Sequence, residues 1–216
     1  MPCLAIPAVI LAGGRSSRMG GADKSLLRLN GRSLIEHVIA ALAPQVSRML
    51  INTNNDPENF SHLGLPVLAD TLPGFQGPLA GILTGMTWAR QIAPKTSHIM
   101  VVPGDVPFLP EDLVARLYQV QQACGAEAVI ARHAGRPQPV IGLWPLKRAG
   151  LLARDLLKTD MRKARQWLDQ FPVTEVEFPS AKDGEFFNIN RPDDLLQAHI
   201  YAARRSLVGR KPVAAL

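Results

Sequence analysis

The stretch IPAVILAGG at residues 6–14, running on through RSSRMGGADK to Lys24, decides the fold. Residues 6–12 are a short apolar run that contains branched side chains and ends at two adjacent glycines. Such a run reads as a strand buried on both faces of a parallel sheet rather than as a helix. Pro7 then has to sit at the very start of the ladder, where a missing N–H is tolerated.

The pattern repeats downstream. Leu34, Ile35, Val38, Ile39 and Leu42 share one stripe of a helix over 33–42, with Ser33 as its N-cap. Met49–Asn52 reads as a second strand, and residues 67–69 as a third that ends at Asp70. Pro78 opens a helix to about Ile92, a position that suits proline because the first helical N–H has no intrahelical partner. HIMVVP at residues 98–103 is the most hydrophobic strand and runs into Gly104 and Asp105. A helix over 110–124 carries Glu111 and Asp112 in its first turn, where the helix dipole favours negative charge. Strands alternating with helices predict a parallel sheet covered on both faces.

Further on, strands at 128–131 and 140–144, joined by a turn-rich 133–139, form an antiparallel addition. Helices at 146–157 and 162–170, a strand at 173–178, the segment 186–190 and a last helix from Pro192 complete the order. The expected architecture is α/β and Rossmann-like: a mostly parallel central sheet, helices on both faces and a small antiparallel addition. One domain over 1–203 is expected, followed by a basic, flexible tail over 204–216.

Composition narrows the function classes. The chain has 216 residues, 47% hydrophobic and 19% charged, which excludes disordered and collagen-like classes and gives a core that needs no disulfide or structural metal. Its formal net charge of +6 invites a nucleic-acid reading, but the charges are grouped. Arg15, Arg18, Lys24, Arg28 and Arg32 share one N-terminal segment with no aromatic residue between Ala5 and Ala43, so a base-stacking platform is not expected there. A small polyanion suits this segment better than a duplex. The two cysteines, Cys3 and Cys124, make neither a disulfide framework nor a zinc site, and no signal peptide or membrane span is expected, which together read as cytoplasmic. The five histidines lack metal-ligand spacing and are expected to be structural.

In an open parallel sheet, ligands bind beyond the carboxyl ends of the strands. The residues there are Ala12, Gly13 and Gly14 after the first strand, Asn52 after the second, Asp70 after the third and Asp105 after the fourth. Any one of them is an ordinary strand-ending residue. Together they supply close backbone approach, one amide and two carboxylates at a single rim, the ingredients of a nucleotide and metal site. The segment from Leu11 to Lys24 adds glycines, serines, arginines and a lysine, as a triphosphate requires. It is neither a Walker A loop, because Asp23 rather than glycine precedes Lys24, nor a dinucleotide fingerprint, because Gly13 and Gly14 are adjacent.

LAGGRSSRMGGADK resembles the signature of nucleotidyltransferases that activate sugars, alditols and cofactors, and its GGADK ending is similar to that of the molybdenum cofactor guanylyltransferases. INTN at 51–54, LADT at 68–71, GPLAGI at 77–82, PGDVPF at 103–108, RPQPVIGLWP at 136–145 and FFNIN at 186–190 extend the resemblance over nearly the whole chain. It implies the nucleotidyltransferase version of the Rossmann-like fold. It also implies that Leu11, Ala12 and Gly13 touch GTP through their backbone, that Lys24 contacts its phosphates, that Asn52 and Asp70 bind the nucleoside, and that Asp105 binds both GTP and Mg²⁺. Guanine presents N1–H and N2–H donors, which demand an acceptor such as Asp70 or a main-chain carbonyl.

The implied reaction joins the terminal phosphate of Mo-molybdopterin to the α-phosphorus of GTP and releases pyrophosphate. Two anions must meet, and unit charges 4 Å apart repel by about 4 kcal/mol at an effective dielectric near 20, so Mg²⁺ at Asp105 and the cations Arg18 and Lys24 are assigned to offset that repulsion. Arg136, Gln138, Asn188 and Asn190 are assigned to the molybdopterin side, Asn188 and Asn190 being expected to point to the same side of an extended segment. Partners implied are cofactor-making proteins and acceptor molybdoenzymes, with neither nucleic acid nor membrane, and a monomer is expected. The alternatives are a cytidylyltransferase of the same cofactor, a sugar-phosphate nucleotidyltransferase, or a non-catalytic nucleotide- or nucleic-acid-binding module.

Overall fold

The computed structural model describes residues 5–13, 23–72, 74, 77–159, 161–179 and 182–208. Among these, seven strands form one sheet: β1 (Ala8–Leu11), β4 (Met49–Asn52), β5 (Val67–Leu68), β6 (His98–Pro103), β7 (Ala128–His133), β8 (Arg136–Pro145) and β9 (Val173–Phe178), in the order β5-β4-β1-β6-β8-β7-β9. β5, β4, β1 and β6 run parallel to one another, β8 is antiparallel to both β6 and β7, and β9 returns parallel to β7. The antiparallel strand is thus built into the sheet. A separate hairpin of β2 (Arg28–Leu29) and β3 (Arg32–Ser33) forms the second, two-stranded sheet.

Alternation along the central strands explains the three layers. Ala8, Ile10, Met100 and Val102 face α1 (Leu34–Leu42) and α3 (Leu113–Cys124), while Val9, Leu50, Ile99 and Val101 face α2 (Pro78–Ile92), α4 (Ala149–Lys158) and α5 (Ala164–Leu168). With both faces covered, every position of β1 up to Ile10 is buried, which is why the sequence shows an unbroken apolar run rather than an alternating one. Trp144 and Trp167 stack with ring centroids 5.5 Å apart inside the second layer. Two glycines let α2 approach the sheet closely: a Cβ at Gly85 would stand 2.6 Å from Val9 Cγ1, and one at Gly81 would stand 2.0 Å from Asn52 Oδ1.

Several local expectations change. α1 begins as expected, with the Glu36 carboxylate accepting from the Ser33 N–H (2.6 Å) and hydroxyl (2.7 Å), bonds that hold it below the usual carboxylate range. α3, however, starts at Leu113, so Glu111 and Asp112 precede the helix. Its N-terminus is capped from a distance: buried Gln45 accepts from the Val114 N–H at 3.0 Å and donates to the Pro110 carbonyl at 3.1 Å. The expected long turn over 133–139 is a two-residue turn, Ala134–Gly135, with φ of +49° and +73°, the type I′ geometry that matches strand twist. Pro137 and Pro139 are accommodated because β6 pairs only with residues 142–145 of β8, leaving one side of the strand open where the prolines lie.

The second helix of the 146–170 region shortens to Ala164–Leu168, and 146–148 is a 3₁₀ turn leading into α4. Residues 186–190 are not a strand; Phe186 has φ +58°, and the chain turns there. The tail expected over 204–216 begins inside a helix. α6 (Pro192–Val208) carries Arg204 and Arg205 within the helix, where Arg205 lies 5.0 Å over the Phe108 ring and donates to the Asp183 carbonyl at 3.0 Å, and Arg204 pairs with Asp183 at 3.5 Å. Cations near a helix C-terminus are favoured by its dipole, so the basic composition is consistent with helix rather than coil. Residues 209–216 lie outside the described residues.

Candidate active site

The carboxyl ends of β1, β4, β5 and β6 meet at one rim because the strands are parallel and adjacent. Ala12 N–H donates to the Asn52 carbonyl at 2.8 Å, Thr53 N–H to the Leu68 carbonyl at 3.1 Å and Gly104 N–H to the Leu11 carbonyl at 2.9 Å, continuing the ladder past the strand ends. Leu11, Ala12, Gly13, Asp23, Lys24, Ser25 and Asp105 line one small cavity of about 90 Å³. Five of the expected residues are thereby gathered at one place. Arg18 lies outside the described residues, as do 14–17 and 19–22.

Asp105 is the unusual group of this cavity. Its Oδ1 is buried and has no hydrogen-bond partner among the described residues. Burial pushes the carboxyl up to about 6; the Lys24 ammonium opposes the shift and Asp23 adds to it. A buried carboxylate oxygen with no donor fits a hard cation, whose charge would reverse the penalty of desolvation. The described residues contain no group of three or more His, Cys, Asp or Glu side chains able to hold a metal, so this one carboxylate would be supplemented by oxygens of the ligand and water.

Lys24 is aimed across the cavity by two flanking contacts. Asp23 Oδ1 accepts from the Ser25 N–H (3.0 Å) and hydroxyl (2.6 Å), which starts the 3₁₀ turn Lys24–Leu26, and Asp23 Oδ2 accepts from the Asn55 amide at 2.8 Å. Lys24 Nζ donates to Asn190 Oδ1 at 3.1 Å. The turn that supplies Asn190 is itself stitched to the loop after β6, with the Phe186 N–H donating to the Phe108 carbonyl and the Ile189 N–H to the Asp105 carbonyl, both at 3.1 Å.

Asn52 and Asp70 meet one strand further along. The Asn52 amide donates to the Leu68 carbonyl at 3.1 Å and to Asp70 Oδ1 at 3.0 Å, and Asn54 donates to Asp70 Oδ2 at 2.7 Å while accepting from the Asp70 N–H at 2.9 Å. Asn54, Asn55, Asp23 and Ser25 were not singled out from the sequence as site residues. INTN and GGADK contain two of them, Asn54 and Asp23, but only the approach of the β1 and β4 loops reveals their partners.

A second cavity, of about 590 Å³, lies between the tip of the β7–β8 hairpin, the turn at 182–188 and α6. Arg136, Gln138 and Asn188 line it, beside Lys182 and Tyr201. Three of the four residues expected on the acceptor side are therefore together, whereas Asn190 turns to Lys24. Asn188 and Asn190 are both exposed and flank fully buried Ile189, yet they serve different neighbours. His98, held between the Ser97 hydroxyl at 2.8 Å and the Glu127 carbonyl at 3.0 Å, is pushed below its ordinary range by burial.

A parallel-sheet rim with the Gly13 backbone, a lysine and a carboxylate with a buried oxygen defines a nucleotidyltransferase, and comparison with known proteins agrees. Residues 8–174 match the model of the MobA-like NTP transferase domain. The molybdenum cofactor guanylyltransferase of Rhodopseudomonas palustris (strain BisB5) is 45% identical over 202 residues, covering 94% of this chain and 96% of the relative. The protein of the same name from Mesorhizobium japonicum is 44% identical over 196 residues, covering 89% of this chain and 94% of that one. Among solved structures, the molybdopterin-guanine dinucleotide biosynthesis protein A of Archaeoglobus fulgidus superposes with a TM-score of 0.71 at 26% identity, over 92% of this chain and 99% of that one. The chain belongs to the molybdenum cofactor guanylyltransferase family.

Proposed function

We propose that the protein transfers GMP from GTP to the terminal phosphate of Mo-molybdopterin. The observation that carries this reading is the convergence on one cavity of the Gly13 backbone, Lys24 and an Asp105 oxygen that has no partner among the described residues, in a chain whose relatives bear the guanylyltransferase name. A phosphate oxygen of the acceptor forms a bond to the α-phosphorus, the bond from that phosphorus to the α,β-bridging oxygen breaks, and pyrophosphate leaves.

Leu11, Ala12 and Gly13 bind the nucleotide through backbone that Gly13 keeps clear of a side chain, and Asn52 and Asp70 hold the nucleoside. Lys24, steadied by Asn190, meets the negative charge that grows on the departing pyrophosphate, and Arg18 is assigned the same role. Mg²⁺, held by Asp105 together with phosphate oxygens, would neutralise the α-phosphate and polarise its phosphorus. No protein nucleophile is needed, since positioning and electrostatics suffice for such a transfer. Arg136, Gln138 and Asn188, at the 590 Å³ cavity, take the acceptor. Its terminal phosphate then has to reach the metal side past Asn190.

The protein is read as a cytoplasmic monomer that exchanges substrate and product with cofactor-making proteins and acceptor molybdoenzymes. No helix among the described residues is long and apolar enough to cross a membrane. The test is incubation with each NTP, Mg²⁺ and molybdopterin while pyrophosphate is followed. GTP should be strongly preferred; equal or better use of CTP would reject the guanylyl reading in favour of a cytidylyltransferase.

A further inference from the structure

The Asp70 carboxylate is already half occupied, and the group that occupies it most closely is one to which no role has been given. An ionised carboxylate offers about four lone-pair sites. Asn52 takes one on Oδ1 at 3.0 Å and Asn54 takes one on Oδ2 at 2.7 Å, so among the described residues each oxygen keeps about one acceptor site for a ligand. Asn54 also accepts from the Asp70 N–H at 2.9 Å, which closes a reciprocal pair between one side chain and the aspartate's own backbone and side chain. Free rotation of the carboxylate about χ2 would break at least one of these bonds.

The pair is fixed from behind as well. Asn52 is 4% exposed and is backed by Gly81, where a Cβ would lie 2.0 Å from Asn52 Oδ1. The backbone N of Asn54 lies 3.7 Å from where a Cβ on Gly13 would stand, so the residue that orients Asp70 also borders the proposed phosphate turn.

We propose that Asn54 is a positioning residue that sets the base preference, by holding Asp70 so that two adjacent acceptor sites, one on each oxygen, face the base. Resting on the guanylyl reading above, this selects a purine edge with two neighbouring donors, N1–H and the exocyclic N2–H. Adenine and cytosine each present a donor beside an acceptor on the corresponding edge, which would set a lone pair against a carboxylate oxygen. A site built to hydrogen-bond a donor discriminates against the analogue that lacks it, because the acceptor is left unpaired.

The experiment measures binding of GTP and of inosine triphosphate, which lacks only the exocyclic amine, to the full chain with Mg²⁺, by calorimetry. Wild type, Asn54→Ala and Asn54→Asp are compared, with ATP and CTP as further ligands. The wild type should prefer GTP over inosine triphosphate by about 10- to 100-fold, the range for one hydrogen bond to a charged group. In Asn54→Ala that ratio should fall to within about threefold, mainly through weaker GTP binding. In Asn54→Asp, where a second carboxylate displaces Asp70, GTP affinity should fall further still. The ratio is internal to each variant, so a loss of stability does not imitate the effect. A GTP-selective wild type whose ratio is unmoved in Asn54→Ala overturns the proposal alone. A wild type that does not distinguish GTP from CTP overturns the guanylyl reading and this proposal with it.

Discussion

Two aspartates stand on the same rim, three strands apart, and are held in opposite ways. Asp70, beyond β5, has both carboxylate oxygens bonded to amides, whereas Asp105, beyond β6, keeps a buried oxygen with no partner among the described residues and is pushed up to about 6. The first is a finished hydrogen-bonding surface, oriented before any ligand arrives. The second is a group whose environment in the free protein disfavours the charge its proposed task requires. Protein donors fix a recognition element, and withholding them leaves a carboxylate that a cation can satisfy.

The sharpest way to break this contrast is Asp105→Asn. Removing one group that stabilises the developing charge is expected to lower kcat by about 10²- to 10³-fold, measured as pyrophosphate release at saturating GTP and Mg²⁺. Retention of near-normal turnover would remove Asp105 from the mechanism.

The same substitution should have the opposite effect on stability. A carboxyl raised from 3.8 to about 6 binds its proton more tightly in the folded than in the unfolded chain, so the wild type loses stability as pH rises between those values. The full penalty is present above pH 6 and amounts to at most about 3 kcal/mol. Metal-free Asp105→Asn should therefore be more stable than wild type at pH 7.5, by up to that amount, and no longer so near pH 3.5. Denaturant melts at the two pH values check this. An unchanged or lower stability at pH 7.5 would show that Asp105 is not strained by burial.

At the other aspartate, Gly81→Ala presses a methyl onto Asn52 Oδ1 and should disturb the amide that holds Asp70. A cost of about 1–3 kcal/mol is expected, with a rise in KM for GTP that exceeds any change in kcat. A third comparison sets the proposed acceptor cavity against the proposed nucleotide rim. Arg136→Ala should raise KM for molybdopterin several-fold and leave stability within about 0.5 kcal/mol, since Arg136 is exposed. Equal loss of GTP affinity in that variant would mean that the two cavities are not separate in function.

The sequence made legible whatever is decided locally. Met49–Asn52, Pro78–Ile92, His98–Pro103 and Val173–Phe178 have the boundaries read from periodicity and turn residues, and Ser33 caps α1 with Glu36 three residues on. What stayed hidden is decided by distant partners. α3 starts at Leu113 because Gln45, 69 residues before Val114, caps it, and no local signal marks that. The β7–β8 hairpin turns at Ala134–Gly135 without the Asn-Gly pair that announces type I′, and two prolines in β8 imitate a loop. At the site, glycines and acids at strand ends were readable, but the bonds from Asn54 to Asp70 and from Lys24 to Asn190 span 16 and 166 residues.

The last of those contacts bears on how the enzyme comes into being. The matched family domain ends at residue 174, and all seven strands are complete by Phe178, yet Asn188 and Asn190 have still to be made. A ribosome-bound chain that has emerged only through β9 holds the nucleotide rim and Asp105 but lacks the wall that Ile189 pins to it. The order of synthesis thus delays the proposed acceptor side until the final helix follows, and a chain shortened after β9 should keep its sheet while losing the second half of its proposed chemistry.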